Sequence, residues 1–277
     1  MTTTNPTFIF IDGSYFCFYR YHSLLTWWKN ACPEQSDVLL DPYQNPTFVE
    51  KFKKTFMDTI TKIPKSLSID KSIQPIIIVA KDCKRESIWR NELFSKYKAN
   101  RTKGAEDGFM GGPFFKMVYE ENLFCKAGAK TILKHPHLEA DDCIAIHVKE
   151  MLKKYPLCNI YIITSDKDYL QLAEERVQIY NLAFKKITEQ KGCSKDPTCD
   201  LFCKIVSGDK SDNIPSVFPK CGPKTALKYF NNKELFEKKL VESENYQKQY
   251  EINKKIIDFN FIPQHLINEF LDSIKNT

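Results

Sequence analysis

The sequence has no apolar run long enough to span a membrane, no internal repeat and no low-complexity segment. Its first six residues lack the basic and apolar regions of a secretory signal. The ten cysteines are scattered along a chain without an export signal, so we expect reduced thiols and no disulfide framework. We therefore expect no membrane partner and an intracellular location, in the cytoplasm or the nucleus.

The size and charge of the chain indicate a globular protein with a phosphate-rich partner. Its 277 residues, 42% of them hydrophobic, suffice for one large α/β domain or for one domain with a small appendage. Lys and Arg number 41 against 35 Asp and Glu, a net charge of +6. Because many of the acids gather in the motifs below, the rest of the surface is more basic than the net charge alone indicates. A basic surface around an acidic pocket suits a phosphate-backbone substrate.

Three apolar runs have the pattern of parallel strands that are buried on both faces of a sheet. They are residues 8–11, 76–80 and 160–163. Each run is followed by acids, namely Asp12, Asp82, and Asp166 with Asp168. Any one of these acids could belong to an ordinary turn, but three strands that each end in an acid form a more specific pattern. Open α/β sheets bind ligands at this edge, so we expect a site there.

A further acidic cluster, Glu139, Asp141 and Asp142, stands at the start of a predicted helix. Apolar residues at helical spacing predict this helix from about residue 140 to residue 154, and the short apolar run 131–133 predicts a strand before it. The positive end of the helix dipole accounts for one or two acids. Three acids in four residues repel one another unless cations bind there.

Other patterns predict helices around this framework. The aromatic segment 15–28 predicts a helix that packs on the sheet, and apolar spacing predicts another over 47–63, which Pro64 ends. A further helix is predicted to start near Pro223. Residues 233–275 have the pattern of two or three amphipathic helices.

Nine carboxylates converge at one edge of the sheet in this interpretation. They are Asp12, Asp82, Glu139, Asp141, Asp142, Asp166, Asp168, Asp209 and Asp212. So many like charges cannot all stay ionised without cations, and oxygen ligands select Mg²⁺ or Mn²⁺ over zinc. Two such ions about 4 Å apart activate a water and stabilise both oxygens of an in-line displacement at phosphorus. The residues therefore indicate metal-assisted phosphodiester hydrolysis.

Several stretches resemble, in the same order, the motifs of the 5′→3′ exonucleases and flap endonucleases of bacterial polymerase I and bacteriophages. They are Ile11–Ser14 with Tyr19 and Arg20, Asp82, Tyr97–Arg101, Glu139–Asp142, Ser165–Asp168, Gly208–Pro215 and Gly222–Ala226. The resemblance covers residues 8 to about 230. It implies a PIN-like, flap-endonuclease-type α/β fold: a parallel-sheet nuclease core with a helical arch, through which a 5′ end passes, and a C-terminal helix-hairpin-helix-type DNA-binding module.

This resemblance also implies a division of the chain. Residues 1–200 are expected to form the PIN-like nuclease core, with the arch at about 90–128. Residues 201–277 are expected to form the duplex-binding module and the C-terminal helices. Four glycines within residues 103–113 predict that this half of the arch is irregular without DNA.

Two divalent metals are implied by the resemblance, each with its own ligands. The first set is Asp12, Asp82, Glu139 and Asp141. The second set is Asp166, Asp168, Asp209 and Asp212, with Asp142 in support.

Four more residues match the part of the family pattern that faces the scissile phosphate. Lys98 and Arg101 match a basic pair at the arch base that contacts this phosphate. Their spacing of three on a predicted helix places both heads on one face. Tyr97 is expected to be a stacking platform for a terminal base, and Arg20 matches a basic residue near the same phosphate.

The hairpin module is expected to hold one phosphate of the duplex. Gly222, Lys224 and Thr225, together with Lys220, offer backbone N–H groups, a helix dipole end and an ammonium. The resemblance also implies a monovalent cation such as K⁺ at this turn. The family turn carries two glycines separated by one residue, but only the second is present, so a side chain stands where the backbone must approach closely. That departure argues against the K⁺ site.

The expected partner is DNA with a 5′ end, a flap or a nick, and RNA–DNA primers remain an alternative substrate. The protein is expected to be a monomer that works with a separate polymerase. A haloacid-dehalogenase-type phosphatase is disfavoured because Ser14 stands where its second Asp belongs. A PIN-type ribonuclease would lack the module of residues 208–226, and an inactive DNA-binding relative would have lost some acids. The sequence leaves open the balance between exonuclease, flap cleavage and removal of RNA primers in the manner of an RNase H.

Overall fold

The computed structural model describes residues 5–101 and 109–275, so the glycine-rich segment predicted to be irregular lies largely outside the described residues. The strands are β1 (Thr7–Asp12), β2 (Ile76–Ala80), β3 (Thr131–Leu133), β4 (Asn159–Ile163) and β5 (Val177–Tyr180). The helices are α1 (Gly13–Ala31), α2 (Pro46–Ser66), α3 (Arg90–Leu93), α4 (Gly112–Glu120), α5 (Leu123–Lys126), α6 (Ala140–Lys154), α7 (Pro197–Ser207), α8 (Pro223–Asn231), α9 (Lys233–Leu240), α10 (Glu244–Ile257) and α11 (Gln264–Lys275).

The five strands form one parallel sheet in the order β3-β2-β1-β4-β5. Asp12 pairs with Ala80 and Ile11 with Ile163, so the three central strands end level with one another. The acids that follow these strands therefore emerge at the same edge. The predicted parallel-sheet α/β class is confirmed, although the short edge strand β5 was not predicted.

Helices cover both faces of the sheet, and alternate strand residues point to opposite layers. Phe10 on β1 belongs to the layer with Ile144 of α6 and Phe270 of α11. Its neighbour Ile11 belongs to the layer with α1, α2, α4 and α5, which includes Phe56. This arrangement fixes the start of α6 at the carboxyl edge of the sheet.

Apart from the helix predicted at Lys98 and Arg101, the predicted helices form, with some differences at their ends. Helix α6 has the bounds predicted for it. Pro64 does not end α2, because it lies inside the last turn of a helix that continues to Ser66. In the predicted arch region, 90–128, the part after Gly112 forms α4 and α5, whose Phe114 and Phe124 are fully buried. These two helices are thus part of the core, and the arch expected within residues 90–128 stays a prediction.

The C-terminal part does not separate from the core at residue 200. Helix α7 runs across this boundary from Pro197, and α7, α8 and α9 share a small core that includes Val206, Ala226 and Phe236. Three helices, α9 to α11, follow, and α11 packs back on α6 of the nuclease core. Within the described ranges, no helix combines the length and the apolar character that crossing a membrane requires.

Candidate metal centre

A cavity of about 390 Å³ opens at the carboxyl edge of the sheet, at the start of α1 and α6. The acids on its wall are Asp12, Asp82, Glu139, Asp141 and Asp166. The first four are the predicted ligands of the first metal, and the structure brings them together. Asp166, which was predicted for the second metal, lines this cavity and also the neighbouring one. It therefore lies between the two predicted metal positions.

The cavity acids are held in place by backbone groups of the two helix starts. Asp12 caps α1 by accepting a hydrogen bond from the Tyr15 N–H at 3.0 Å. Asp82 accepts one from the Ala140 N–H of α6 at 2.8 Å and another from the Ser14 hydroxyl at 2.5 Å. Gly13 allows α1 to start this close to β2, because a Cβ there would lie 2.5 Å from the Ala80 carbonyl oxygen.

The cavity carries uncompensated negative charge. Burial, and then the neighbouring charge of Asp82, raises the pKa of Asp12 to about 7. Burial, followed by the charge of Asp142, raises the pKa of Asp141 well above its ordinary value. Both carboxyls are thus destabilised in their charged form. A divalent cation bound by these oxygens would remove that penalty, and the donor set is one that Mg²⁺ and Mn²⁺ accept.

Glu139 differs from these acids because cations surround it. Its carboxylate forms ion pairs with Arg90 at 3.1 Å and with Lys98, and it accepts a hydrogen bond from the Tyr97 hydroxyl at 2.9 Å. Burial raises the pKa of Glu139, but the charges of Lys98 and Arg90 outweigh burial and lower it. Glu139 therefore stays ionised in the free protein.

Asp142 was expected to support a metal, and its oxygens accept hydrogen bonds from three neighbouring residues. The side chain is completely buried, and the Arg90 guanidinium binds both oxygens at 2.7 Å. The Trp89 indole N–H and the Glu139 backbone N–H donate to Oδ2 as well, at 2.9 and 3.1 Å. One oxygen of Asp142 nevertheless lies within 4.8 Å of oxygens of Glu139 and Asp141. Asp142 thus fixes the start of α6 and the direction of Glu139, and its expected support of a metal stays a prediction.

Arg90 joins this edge of the sheet to the C-terminal part. It is 2% exposed, and its Nε–H donates to the carbonyl oxygen of Ile256, on α10, at 2.7 Å. The partners of Arg90 are far away in the chain. Sequence spacing alone therefore could not assign its partners.

A second carboxylate group lies beside the first. Oxygens of Asp168, Asp209 and Asp212 lie within 4.8 Å of one another. Asp168 follows β4, and the other two lie in the loop between α7 and α8, as predicted. Asp168 Oδ1 is buried, and its close partner among the described residues is the ammonium of Lys204. An anionic oxygen in that state fits a metal ligand.

Lys204, which was not singled out in the sequence, pairs with two acids of this second group. Its ammonium forms ion pairs with Asp168 Oδ1 and, at 2.8 Å, with Asp209 Oδ2. Burial raises the pKa of Asp209, but Lys204 and two hydrogen bonds from Ser211 lower it to about 2. Asp209 is thus ionised at neutral pH.

The segment with Lys98 and Arg101 is a turn and not the predicted α-helix. Lys98 has a left-handed backbone, with φ of 54°, and residues 95–98 form a turn followed by a 3₁₀ segment. The turn is fastened to the second acidic loop: the Lys98 N–H donates to the Asp212 carbonyl oxygen at 2.9 Å, and the Asn100 side chain to that of Lys210 at 2.8 Å. Both basic heads still converge on the carboxylates, because Arg101 binds Asp212 at 2.5 Å.

Two predicted catalytic residues are placed differently from expectation. Tyr97 is 6% exposed, and its hydroxyl lies 2.9 Å from Glu139 and 3.4 Å from Asp212. A ring buried in this way cannot stack on a base, so Tyr97 instead positions the two carboxylates. Arg20 is not on the wall of the 390 Å³ cavity, and its buried Nε has no hydrogen-bond partner among the described residues.

The hairpin residues are exposed at the start of α8. Lys224 and Thr225 lie in the first turn with accessible side chains, and Gly222 is the N-cap. Lys220 has a left-handed backbone with φ of 55°, a conformation that costs about 1–2 kcal/mol for a residue with a Cβ. The position of the missing first glycine thus keeps the backbone that glycine favours. The expected phosphate contact and the K⁺ site stay predictions.

The fold and the two carboxylate groups define an α/β protein whose sheet edge is suited to divalent cations. The chain belongs to the family described as 5'-3' exonuclease, N-terminal resolvase-like domain, whose sequence model matches residues 7–197. The family expected from the motifs is thereby confirmed.

Individual proteins of this kind are similar to the chain. It is 28% identical over 246 residues to the 5'-3' exonuclease of Buchnera aphidicola subsp. Schizaphis graminum, covering 84% of this chain and 74% of that one. It is 36% identical over 145 residues to DNA polymerase I of Treponema pallidum, covering 50% of this chain and 14% of the polymerase. The T5 flap endonuclease, in a structure with DNA and metal ions, has a TM-score of 0.64 at 16% identity over 98% of both chains. The PIN-like, flap-endonuclease-type fold is therefore confirmed.

Proposed function

We propose that this chain is a divalent-metal-dependent 5′→3′ exonuclease and structure-specific 5′ flap endonuclease, which hydrolyses phosphodiester bonds of DNA in replication, repair or recombination. One observation carries the proposal. Asp12, Asp82 and Asp141 line the same cavity as Lys98 and Arg101. Acids that can hold cations and bases that can hold a phosphate thus face one space of suitable size.

The names of the relatives support the same activity. The Buchnera relative is named a 5'-3' exonuclease, and the T5 neighbour is a flap endonuclease that was crystallised with DNA and metal ions. The Treponema relative is a polymerase of which this chain matches 14%. We propose that the present chain supplies the nuclease activity and works as a monomer with a separate polymerase.

Two Mg²⁺ or Mn²⁺ ions are the proposed cofactors. Asp12, Asp82, Glu139 and Asp141 would hold the first, and Asp168, Asp209 and Asp212 the second, with Asp166 between them. The raised pKa values of Asp12 and Asp141, and the closeness of the Asp168, Asp209 and Asp212 oxygens, support this assignment. When bound, such ions supply an activated water and neutralise charge on the phosphate.

The chain's own residues perform the remaining tasks. Lys98 and Arg101 lie on the cavity wall, where their charges meet the non-bridging oxygens of a phosphate placed between the two acidic groups. A charge that builds up on those oxygens during attack is stabilised more than the ground state is, and this difference lowers the barrier. Tyr97 and Arg90 keep the Glu139 carboxylate in one orientation.

The start of α8 is the proposed binding site for the DNA duplex. Lys224 and Thr225, with the N–H groups that follow Gly222, are proposed to hold one phosphate away from the cut. Because this contact is to the backbone, it does not read the base sequence. DNA with a 5′ end, flap or nick is the proposed substrate, and RNA–DNA primers are tested beside it.

Cleavage assays test the proposal. The protein is incubated in Mg²⁺ or Mn²⁺ with 5′-labelled flap, nicked-duplex and RNA–DNA substrates, and the products are sized. We expect cleavage by the wild type, strong loss in Asp141→Asn, and no loss in the control Asp37→Asn, an exposed acid in the segment Pro33–Leu40. Full activity of Asp141→Asn, or no cleavage by the wild type, would contradict the proposal.

A further inference from the structure

Lys204 occupies the centre of the second carboxylate group. Its ammonium contacts Asp168 Oδ1 and Asp209 Oδ2, and these two oxygens belong to the acids whose ligand atoms lie within 4.8 Å of one another. A divalent ion held by the same acids would need these oxygens at about 2.0–2.6 Å. A carboxylate oxygen can ligate an ion and accept from an ammonium at once, but the two positive charges then lie within a few ångströms and repel each other. Each cation therefore weakens the binding of the other.

The side chain of Lys204 has somewhere else to go. It is 21% exposed and lines a second cavity of about 570 Å³, which extends from the second carboxylate group to the start of α8. Lys167, Ser207, Ser211 and Pro223 also line this cavity. A lysine stem is flexible and its ammonium is a compact charge, so the head can leave the carboxylates and remain within the cavity.

We infer that Lys204 is an internal counter-ion that competes with the second divalent ion, and that it moves to a backbone phosphate of the substrate when this ion binds. The inference rests on the proposed function, because it assumes a phosphate-bearing substrate in the cleft. In the free protein the ammonium balances Asp168 and Asp209 and keeps the second ion weakly bound. DNA provides a new anionic partner for the ammonium. Bound DNA therefore raises the affinity of the protein for the second ion, and the bound ion raises its affinity for DNA.

Arg90 and Lys204 differ in a way that supports this role. The Arg90 guanidinium is buried and makes four hydrogen bonds to Glu139, Asp142 and the Ile256 carbonyl, so it cannot leave. Lys204 is part-exposed and forms two ion pairs. Of these two cations, only the ammonium is placed to exchange with an ion from solution.

The first measurement is Mn²⁺ binding without DNA, followed by calorimetry or by the spin resonance of free Mn²⁺. The variant Lys204→Met keeps the stem and loses the charge, and Lys126→Met, an exposed lysine at the end of α5, is the control. We expect the second ion to bind Lys204→Met on the order of tenfold more tightly than the wild type or the control, since one repelling charge is removed at close range. Equal affinity in all three proteins would overturn the inference.

Thermal unfolding distinguishes a counter-ion from a structural salt bridge. In EDTA, Lys204→Met should melt below the wild type, because Asp168 and Asp209 then repel each other; in saturating Mn²⁺ the difference should disappear. A variant that stays destabilised in Mn²⁺ would show that the lysine is structural. Lys204→Gln, which keeps polar contacts without charge, repeats the comparison if Lys204→Met does not fold.

The coupling between DNA binding and the second metal site is measured in the presence of Ca²⁺, so that the flap DNA stays intact. Adding DNA should tighten the second site of the wild type more than that of Lys204→Met. Equal tightening in both proteins would mean that Lys204 does not exchange between carboxylates and phosphate. These readouts do not require cleavage: binding without cleavage would contradict the proposed function alone, whereas cleavage with no effect of Lys204 on metal affinity would contradict this inference alone.

Discussion

Replacing Arg90 by Met tests whether the buried guanidinium holds the metal edge of the sheet. The change removes a charge that is 2% exposed and leaves Glu139 and Asp142 without their shared partner. Removing one partner of a buried ion pair costs about 3–5 kcal/mol. Because two carboxylates lose a partner here, we expect the stability loss in Arg90→Met to lie at the upper end of this range. The bidentate contact with Asp142 should account for the larger part of the loss.

Urea unfolding in EDTA is the assay, since bound metal would stabilise the folded state and hide part of the loss. The control is Arg176→Met: Arg176 pairs with Glu174 at 2.8 Å, but both side chains are about a third or more exposed. A surface pair of this kind contributes about 0–1 kcal/mol. A loss in Arg90→Met no larger than in the control would refute the assigned role.

A double variant separates folding from the site. Arg90→Met combined with Asp142→Leu replaces a buried ion pair by apolar groups, which is often neutral for stability. We expect most of the stability to return. Binding of the first metal ion should remain weak, because Glu139 has lost the hydrogen bond that orients it. Recovery of both stability and metal affinity would show that Arg90 serves the fold alone.

The remaining predictions concern metals, catalysis and pH. Asp168→Asn should abolish cleavage in Mg²⁺ and leave the circular dichroism and most DNA binding unchanged; near wild-type turnover would refute the second-metal assignment. Lys98→Ala should lower the single-turnover rate about a hundredfold, by analogy with the loss of one oxyanion donor, whereas Lys224→Ala should mainly weaken binding in Ca²⁺ and reduce its salt dependence by about one phosphate contact. Equal loss of affinity in both, with unchanged rates, would contradict these roles. The pKa of Asp12 is raised from 3.8 to about 7, so the folded protein binds an extra proton in this window and its stability in EDTA falls as pH rises through it. Asp12→Asn should flatten that part of the stability profile, and an unchanged slope would contradict the burial of this charge.

The sequence predicted the sheet and the acids that follow it because both leave local signals. Residues 8–11 and 76–80 are continuous apolar runs, and an acid directly after a buried strand can only emerge at one edge. Helix α6 was predicted with its bounds for a similar reason, since its acidic first turn and apolar spacing agree. Strand β5 was missed because four alternating residues at a sheet edge resemble many exposed segments.

The partners of the buried groups could not be predicted in this way. The motif that contains Tyr97 does not indicate whether its ring is exposed or buried. The ring is buried because its hydroxyl contacts Glu139 and Asp212, which are distant in the sequence. Lys98 lies on a left-handed turn because its N–H reaches the Asp212 carbonyl oxygen, a contact across more than a hundred residues. Such contacts depend on the assembled fold, and the spacing of residues does not record them.

The charge of the site was predicted in kind but not in its distribution. The sequence argument held that nine carboxylates need cations, and it assigned this need to metals. The chain itself supplies part of the balance: Arg90, Lys98, Arg101 and Lys204 all form ion pairs with these acids. Four cationic side chains against nine carboxylates leave about five negative charges in the metal-free protein. The protein's own cations therefore reduce the need for metal ions at this edge but do not replace them. The raised pKa values of Asp12 and Asp141 reflect the negative charge that stays unbalanced.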